Sequence, residues 1–539
     1  MNKLIHYIIF CSLFFTACSE ETLPKDTPVS PDGKGVEIIL NLAPQPLQAP
    51  APTTKSSAGN NNPNVLASSR EGAMSLELLA EQPDAATRAT EVEETTIDNA
   101  WIFLFDGVFS DGTNGTSAND PTLIKKLYKS DFQNDKGIRL TKVGTSGNQQ
   151  IIVLANSFDP ALAQNLIEYN GSNSAQASKY SSLKELFSTV DIPANGRLPM
   201  VGTKDVEIPS TSENEVKIEV PVTRIVAKIT MNVKLATPGD FSDGYWTAQL
   251  CDIAPAYWYP NPDVTTTPFP EATKTFNFPD EENITLTGNY TAFTWYAPAN
   301  RRGSSTASST TGADRFTNAP DRATYVRLTH YNKANNIFTQ RNYYIHLGAN
   351  FTDDYNILGN THYTYNVTLY LNAGEDSRVK NITAVYAGMF GGELKATGGV
   401  WQFTKELWVQ SVDAATGISA STMGTDTYNG KSNTLSKKTN NPAQICFKKN
   451  EGYLNINSTT DSNYRWYLPA QRQLDGIWIA QNSFDNSAQL SDVYWSSTSA
   501  WWVDFKIGSS KSDTSNGYNS NKVRCVIELE STPSSKEEQ

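Results

Sequence analysis

The chain has 539 residues, a net charge of −12 at neutral pH, five Cys and four His. The acidic balance argues against nucleic acid and against an anionic membrane surface as partners. The length exceeds what one hydrophobic core usually serves and predicts about three domains. The 24 Tyr, 22 Phe and 11 Trp, with abundant Thr and Asn, favour a mainly β fold class.

The N-terminus carries a secretion signal. Lys3 precedes a short apolar run, and small residues precede Cys18. The run is too short for a stable membrane span, which needs about 20 apolar residues. Phe15-Thr16-Ala17-Cys18 resembles the lipobox of bacterial lipoproteins. This resemblance implies that residues 1–17 are a signal peptide and that Cys18 carries a lipid that contains palmitate. The alternative is an ordinary signal peptide followed by a chance cysteine.

Residues 19–70 are rich in proline and asparagine and predict little packed core. Ser19, Glu20 and Glu21 resemble the surface-export signal of Bacteroides-type lipoproteins, with a solvated linker as the alternative. Two short apolar alternations, at residues 36–42 and 74–79, each predict one strand.

Strand-like segments recur from residue 97 onward and are bounded by Gly, Asn, Asp and Pro. Arg224 and Lys228 interrupt the apolar faces of two of these segments. A short helix is predicted over residues 181–187. Long polar loops between strands favour sandwiches over a βαβ sheet. The predicted strands cover residues 97–105, 151–154, 216–220, 222–233, 325–328, 343–347 and 363–371.

The order of several short motifs resembles the fimbrillin family, the subunits of Bacteroides-type (type V) pili. The similarity covers residues 20–375, with one departure at Gly359, where Arg is expected before Asn360. The motifs are Thr87-Arg88-Ala89-Thr90-Glu91, Ile152-Val153-Leu154-Ala155-Asn156, Leu198-Pro199-Met200-Val201-Gly202, Val222-Thr223-Arg224-Ile225-Val226-Ala227-Lys228-Ile229 and Asn360-Thr361-His362-Tyr363-Thr364-Tyr365-Asn366.

This resemblance implies a precursor that a trypsin-like surface protease activates. Residues 18–88 would form the propeptide, and two transthyretin-like β-sandwich domains would cover 89–220 and 221–375. Cleavage between Arg88 and Ala89 would remove an upstream strand and open a sheet edge, and other pilin subunits would fill that edge by strand exchange. Arg70 is the rival cleavage site, and the alternative is that both arginines lie in a solvated linker.

Residues 380–531 differ from the preceding part and are rich in Trp. The segments around Trp466, Trp495 and Trp502, with Arg524-Cys525-Val526, resemble a bacterial C-type-lectin-like module of the Fibrobacter major paralogous type. The resemblance implies an α+β adhesive domain, which we expect to fold by itself. Cys446 and Cys525 flank the body of this module and are predicted to form a disulfide, whereas Cys251 is predicted to stay free and buried.

Sugar binding through calcium is not predicted, because the Glu-Pro-Asn or Gln-Pro-Asp and Trp-Asn-Asp triplets are missing from residues 376–539. Large aromatic residues are more often core than ligand contacts, so Trp466, Trp478 and Trp495 are assigned to the core. On one strand Trp501 and Trp502 would face opposite sides, so one of them is a candidate ligand contact.

No enzyme, metal or cofactor motif is present in the sequence. His330, His346 and His362 are predicted on separate strands without partners at ligand spacing. The sequence therefore predicts a fimbrial tip subunit and adhesin at the outer membrane surface, with an unknown host or bacterial surface ligand. The polar stretch 531–539 offers no donor strand, which disfavours a stalk subunit. The alternatives are a non-polymerising surface glycan-binding lipoprotein and a pilus anchor.

Overall fold

The structure is a computed structural model that describes the chain in segments. They are residues 37–51, 64–80, 94–110, 119–131, 138–141, 147–157, 160–184, 187–189, 197–208, 215–241, 244–254, 256–258, 281–305, 311–371, 376–389, 392–394, 401–403, 405–419, 423–437, 442–450, 466–484, 488–499, 501–512 and 521–530.

The chain is mainly β, and its strands fall into four consecutive parts. The upstream segment (residues 37–80) contains β1 (Glu37–Pro44), β2 (Val65–Glu71) and β3 (Met74–Leu79). The first β region (residues 94–225) contains β4 (Ala100–Asp106), β5 (Thr122–Lys129), β6 (Ile138–Thr141), β7 (Gly147–Ala155), helix α1 (Tyr180–Lys184), β8 (Phe187–Thr189), β9 (Met200–Ile208) and β10 (Glu215–Arg224).

The second β region (residues 226–389) adds nine strands and one short helix. They are β11 (Val226–Leu235), β12 (Tyr245–Cys251), β13 (Ala256–Trp258), β14 (Glu281–Ile284), β15 (Thr291–Pro298), α2 (Arg315–Asn318), β16 (Tyr325–Ala334), β17 (Ile337–His346), β18 (His362–Leu369) and β19 (Val379–Met389).

The C-terminal module (residues 392–530) combines short strands with three helices. They are β20 (Gly392–Leu394), β21 (Trp401–Phe403), β22 (Lys405–Gln410), β23 (Ala415–Ile418), α3 (Gly430–Ser436), α4 (Ala443–Phe447), β24 (Trp466–Tyr467), α5 (Gln471–Ala480), β25 (Val493–Trp495), β26 (Trp501–Asp504), β27 (Ser509–Ser512), β28 (Asn521–Val523) and β29 (Val526–Glu530). This mixture agrees with the predicted α+β character.

The first β region is built on one seven-stranded sheet in the order β5-β4-β7-β9-β10-β1-β6. The continuous apolar run Ile151-Ile152-Val153-Leu154 lies in β7, between β4 and β9, and is buried on both faces, as predicted. One face forms a cluster that includes Ile102 and Val153, and the other packs against the segment around α1 through Phe103 and Leu183.

The second β region is a sandwich of two sheets. The five-stranded sheet has the order β15-β11-β18-β3-β2, and the eight-stranded sheet has the order β14-β12-β16-β17-β19-β22-β29-β24. Their facing side chains form one core that includes Ile229, Trp246, Tyr343 and Tyr365. Alternate residues of each strand point into this core, because successive side chains of a strand face opposite sides.

The eight-stranded sheet continues from the second β region into the C-terminal module. β19 pairs with β17 on one side and with β22 on the other. The predicted domain start at residue 380 therefore lies inside a strand that both parts share. The core of the module also includes Tyr331 and Phe338 of the second β region. Across the described segments, no helix has both the length and the apolar character needed to cross a membrane.

Candidate functional site around the upstream strands

β1 occupies an internal position in the sheet of the first β region. It pairs in parallel with β10, from Glu37 opposite Glu215 to Pro44 opposite Val222, and antiparallel with β6 on its other side. Ile38 and Leu40 are fully buried in the core of this region. The sequence predicted a strand at residues 36–42, and the structure confirms it. If β1 were removed, a slot would remain between β10 and β6. The backbone N–H and C=O groups of these two strands that pair with β1 would be free, and apolar side chains of the core would line the slot.

After β1 the chain crosses toward the second β region. The Gln45 amide donates to the Val222 carbonyl (2.8 Å), and the Gln48 amide donates to the Asn360 carbonyl (2.8 Å). In return, the Gln48 carbonyl accepts from the His362 amide (2.8 Å). The segment that follows β1 is therefore bonded to both β regions.

β2 and β3 form a hairpin at the edge of the five-stranded sheet. β3 pairs antiparallel with β18, and β2 pairs with β3 and forms the outer edge. Met74, Leu76 and Leu78 enter the core of the sandwich. The sequence predicted β3 at residues 74–79, but it placed residues 65–70 in the stretch 19–70, for which it predicted little packed core. The pairing of β2 with β3 corrects that assignment.

The turn of this hairpin is held by a carboxylate of the second β region. Asp376 accepts a hydrogen bond from the Ala73 amide (2.9 Å), and Arg378 donates to both Asp376 oxygens (2.9 and 2.8 Å) and to the Glu71 carbonyl (2.7 Å). Burial alone would raise the pKa of Asp376, but the bonds from Arg378 and the Ala73 amide bring it below its ordinary value.

Buried charged groups fill the junction between the two β regions. Glu94 is 2% exposed and lies 2.8 Å from the Lys228 ammonium, and it also accepts a hydrogen bond from the Tyr296 hydroxyl. Burial and the nearby Lys228 lower the pKa of His362 to about 4, although Glu94 acts in the opposite direction. His362 is therefore neutral at neutral pH, and its Nε2 lies 2.9 Å from the Thr230 hydroxyl.

Arg224 connects three separate parts of the chain at this junction. Its guanidinium donates to the Gln45 carbonyl (2.8 Å), the Glu94 carbonyl (3.2 Å) and the Asn360 side-chain oxygen (3.2 Å). The Asn360 amide group donates to the Pro46 carbonyl (3.0 Å). These contacts join the upstream segment, the start of the first β region and the turn before β18.

Gly359, where the resemblance predicted Arg, lies against the backbone of the junction. A Cβ at Gly359 would lie 3.2 Å from the carbonyl oxygens of Arg224 and Ile225. The neighbouring Asn360 has a left-handed backbone with φ of 52°, which places its side chain against Arg224. A larger residue at position 359 would thus crowd the junction.

Three predicted processing residues, Cys18, Arg88 and Ala89, lie outside the described residues. Upstream of this gap the structure describes the chain as far as residue 80, just after β3, and downstream of it from residue 94. The rival site Arg70 lies within β2, opposite Ser75 in the hairpin ladder.

An open polar cavity of about 730 Å³ lies where the hairpin meets β18 and β11. Its lining includes Arg70, Glu77, Lys234, Thr368 and Tyr370. Sequence reasoning did not find it, because the hairpin, β11 and β18 that form its walls are far apart in sequence. Five of its eleven lining residues belong to the upstream segment, so the cavity depends on the hairpin.

The C-terminal module contains the predicted disulfide between Cys446 and Cys525, and Cys251 is buried and not part of a disulfide, as predicted. Cys446 lies in α4 and Cys525 directly precedes β29, so the bridge joins the helical part of the module to its sheet. Among the residues that the structure describes, no three His, Cys, Asp or Glu side chains are grouped as metal ligands.

The tryptophans of the module agree only partly with the predicted core. Trp466 is fully buried and Trp495 is 7% exposed, which confirms their core assignment. Trp478 is 37% exposed at the surface of α5, so its core assignment is wrong, because it lies on the outer side of the helix. Trp502 is buried and Trp501 is half-buried, consistent with opposite faces of β26.

Sequence reasoning found the strands at this site but missed the residues that connect them. Arg224, Lys228 and Asn360 were noted as members of motifs, and the first two also as interruptions of apolar faces, but none was given a contact. Glu94 was not singled out. The useful signal was the interruption itself, because a charged residue in a buried strand needs a partner. Identifying that partner required the tertiary structure.

Residues 295–367 match a family described as a domain of unknown function, DUF4906. The matched stretch runs from within β15 to within β18 and covers less than half of the chain. Comparison with curated proteins finds none that matches this sequence.

Comparison with solved structures finds several matches at low identity. A fimbrial assembly protein from Parabacteroides distasonis is 13% identical, with 65% of this chain and 96% of that chain covered and a TM-score of 0.31. A fimbrilin from Porphyromonas gingivalis is 10% identical, with 63% and 98% covered and a TM-score of 0.31. The fimbrial anchor protein Mfa2 from Porphyromonas gingivalis is 11% identical, with 55% and 78% covered and a TM-score of 0.28. TM-scores below 0.5 do not establish a shared fold.

Proposed function

We propose that the protein is a fimbrial subunit that acts at the tip of a pilus as an adhesin and is not an enzyme. One observation carries the proposal. All three strands of the upstream segment precede Arg88 in sequence, yet they are built into the sheets of the two β regions. A single cut after Arg88 would separate these strands from the body of the protein.

Loss of the upstream segment would expose three sheet edges. β10 and β6 would lose β1, and β18 would lose β3. Exposed edges pair readily with an extended segment of another chain, since their free N–H and C=O groups form a ladder and their apolar pockets accept alternate side chains. A strand from a neighbouring pilin subunit is the proposed occupant.

The ladder position of Arg70 favours Arg88 as the processing site. Arg70 is held in β2 opposite Ser75, whereas proteases cut most readily in exposed segments with few backbone hydrogen bonds. A cut after Arg70 would also leave β3 joined to the body and in place beside β18. Cleavage between Arg88 and Ala89 would release both the hairpin and β1.

The position of β29 favours a tip subunit over a stalk subunit. A stalk subunit must also donate a strand, but β29 lies between β22 and β24. Cys525, directly before β29, is tied to Cys446. Cleavage after Arg88 would also release the body from a lipid on Cys18, so a permanent anchor role is disfavoured. The precursor would reside at the outer membrane surface and the mature form in the fimbrium.

The C-terminal module is the proposed adhesive part, with a lectin-like fold and a host or bacterial surface ligand. Trp501 is the half-buried member of the Trp501–Trp502 pair and supports the predicted ligand contact, while Trp502 belongs to the core. We expect adhesion to persist in the presence of a calcium chelator.

The proposal is tested by limited digestion of the full chain with a trypsin-like protease. N-terminal sequencing of the large fragment should give Ala89 as its first residue. Arg88→Gln should prevent this cut, and Arg70→Gln is the matched control that should leave it unchanged. The cleaved protein should then form complexes with pilin stalk subunits that survive denaturant, and the Arg88→Gln protein should not. Complexes formed equally well by uncleaved protein would contradict the proposal.

A further inference from the structure

The two walls of the slot that β1 fills are held in different ways. β6 (Ile138–Thr141) lies at the edge of the seven-stranded sheet, and β1 is its sole ladder partner in the part of the chain that the structure describes. β10, on the other side of β1, is also paired with β9 and ends at the buried Arg224. When β1 leaves, β10 therefore keeps a partner strand and β6 keeps none.

The side chain of Leu140 in β6 depends on β1 as well. Leu140 is 1% exposed and belongs to the same apolar cluster as Ile38 and Leu40, which are fully buried. Removal of these two side chains would open the cluster on the side of β6. A strand of four residues would then have neither a ladder partner nor a filled core beside it, and nothing would offset the conformational entropy that its ordering costs.

We propose that β6 is a strap that joins the sheet only when the slot is occupied and then holds the occupant from its second side. This inference rests on the proposed function, in which a segment of another pilin subunit replaces β1, and it adds how the site closes on that segment. The segment would first pair with β10 along an open edge, and the strap would then fold over it. The strap therefore slows dissociation of the segment and has little effect on its association.

The strap also determines where the segment needs a free amide. Successive amides of a strand point to opposite sides. The Gln45 amide donates to the Val222 carbonyl of β10, so odd-numbered amides of β1 face β10 and even-numbered amides face the strap. The strap spans only the positions from Glu37 to Leu40. The amides of Ile38 and Leu40 therefore face the strap, whereas those of positions 42 and 44 lie beyond its end.

The position of Pro44 in this chain agrees with that pattern. Pro44 occupies an even-numbered position beyond the strap, where the ladder needs no amide. A partner segment can therefore carry proline at the positions equivalent to 42 and 44, but not at those of Ile38 and Leu40, which also require apolar side chains. This requirement belongs to positions of the slot, so it holds whichever residues of a partner segment fill them.

Hydrogen exchange of the full chain, cleaved after Arg88 and freed of its upstream fragment, tests the strap. The amides of Ile138 and Leu140, which face β1, should be protected in the uncleaved chain and exchange fast in the emptied protein. They should regain protection when a synthetic peptide of residues 37–48 is added. The amides of residues 151–154 in β7 are the internal control and should stay protected throughout. Protected strap amides in the emptied protein would overturn the proposal.

N-methylated peptides isolate the hydrogen bonds to the strap, because methylation removes one N–H and keeps every side chain. Methylation of the Leu40 amide should raise the dissociation rate of the peptide about tenfold, the loss expected when one ladder hydrogen bond is blocked and its acceptor is left unpaired. It should also leave the strap amides exchanging fast. Methylation of the Leu42 amide is the matched control, because this amide lies on the same side of the strand but beyond the strap, and it should change neither result. Equal effects of the two methyl groups would contradict the strap.

Leu140→Ala tests the strap from the side of the protein. It should speed dissociation of the unmodified peptide on the order of tenfold, because Leu140 is buried in the cluster only while the slot is filled. Ile124→Ala is the matched control, since Ile124 is a buried residue of the same cluster but lies in β5, at the opposite edge of the sheet. It should leave the dissociation rate unchanged. Equal acceleration by both variants would show that the cluster as a whole holds the peptide and that the strap does not.

These outcomes are separate from failure of the proposed function, in which the peptide closes the strap but no pilin subunit binds. The uncleaved chain gives a further test that needs no empty slot. Under mild denaturant the amides of Ile138 and Leu140 should open with the same free energy as the amides of β1, since the strap loses its partner when β1 leaves. A strap that stays protected while β1 opens would overturn the proposal, whether or not the peptide binds.

Discussion

Lys228 and Glu94 form a buried ion pair whose partners come from different β regions. Their side chains are 8% and 2% exposed, and the Tyr296 hydroxyl adds a further hydrogen bond to Glu94. Removing two charges from water is expensive, and their mutual attraction offsets that cost only while both partners are present. The pair therefore makes the junction sensitive to the loss of either member.

We predict that Glu94→Ala lowers the free energy of unfolding by about 3–5 kcal/mol, because Lys228 is left buried without its partner. The double variant Glu94→Ala, Lys228→Met should recover part of the loss. Urea unfolding of the full chain measures both. Asp475→Ala is the control, because its pair with Arg472 lies at the surface and contributes about 0–1 kcal/mol. A loss for Glu94→Ala as small as that of the control would contradict the prediction.

His346 should make the protein sensitive to acid. Burial, aided by the nearby Arg315, lowers its pKa to about 3, and its ring packs among Phe316, Tyr325 and Tyr355. Between pH 6.5 and 3 the unfolded chain binds a proton at His346 that the folded chain does not. Stability contributed by the neutral ring is therefore present above pH 6.5 and is lost as the pH falls toward 3.

We predict that His346→Phe removes this part of the acid sensitivity. From pH 7.5 to 4.5 the wild type should lose roughly 2–3 kcal/mol of unfolding free energy more than the variant, the linkage expected for one such group. Urea unfolding at both pH values measures the difference. His362, whose pKa is lowered to about 4, has the same sign and should remain as residual sensitivity in the variant. Equal losses of unfolding free energy in wild type and variant would show that His346 has the same pKa in the folded and the unfolded chain.

At the level of strands, the sequence predicted the elements whose own pattern is strong. β7 carries a continuous apolar run, and β1 and β3 show alternation, so all three were found within a few residues. β2 was missed because Ser68, Ser69 and Arg70 give it no alternation of its own. It is a strand because a two-residue turn brings it alongside β3, whose backbone groups pair with it.

The candidate site could be predicted only as a set of strands. The sequence indicated that upstream strands enter an acceptor sheet, but not that they enter two different sheets. Arg224, Asn360 and Glu94 are far apart in sequence, and a local pattern carries no signal for contacts between distant segments. The hydrogen bonds of the junction follow from the packing of the two β regions against each other.

The hairpin of β2 and β3 depends on Gly72 in its turn. Gly72 has φ of +55°, and a Cβ there would lie 2.4 Å from a side-chain oxygen of Asp376. We predict that Gly72→Ala displaces Asp376 and lowers the stability of the uncleaved chain by about 1–3 kcal/mol. After cleavage at Arg88 the upstream fragment should also dissociate faster, which size-exclusion chromatography over time would show.

Gly171→Ala is the matched control for this prediction. Gly171 also has a left-handed backbone, with φ of +92°, but a Cβ there meets no atom within 4 Å and lies away from the hairpin. Gly171→Ala therefore introduces backbone strain, as Gly72→Ala does, but no contact with Asp376. If both variants release the fragment at the same rate as wild type, the turn does not hold the hairpin.

At the scale of the whole molecule, one sheet joins the second β region to the C-terminal module. β19 is paired on both sides, and the aromatic core of the module reaches Tyr331 and Phe338. Cutting the chain near residue 380 would leave β19 with the module but without its partner β17, and would uncover part of that core. A module attached in this way transmits a pulling force through backbone ladders, which a flexible linker does not provide.

The hydrogen bond between Trp466 and Gln340 tests this connection. The indole N–H of Trp466 in the module donates to the side-chain oxygen of Gln340 in β17 at 2.8 Å, and both residues are fully buried. Gln340→Ala would leave the indole without its acceptor, at a cost of about 1–3 kcal/mol. If the two parts unfold together, the change should loosen both of them.

We predict that Gln340→Ala in the full chain increases two exposure rates in parallel: thiol labelling of Cys251, which is buried in the second β region, and reduction of the Cys446–Cys525 bridge in the module. Gln150→Ala is the control, because Gln150 bonds to Asp205 within the first β region and should change neither rate. A variant in which only one of the two rates rises would show that the module unfolds separately. Equal stability of the module in a fragment of residues 380–531 and in the full chain would lead to the same conclusion, since the pairing of β19 with β17 would then contribute nothing.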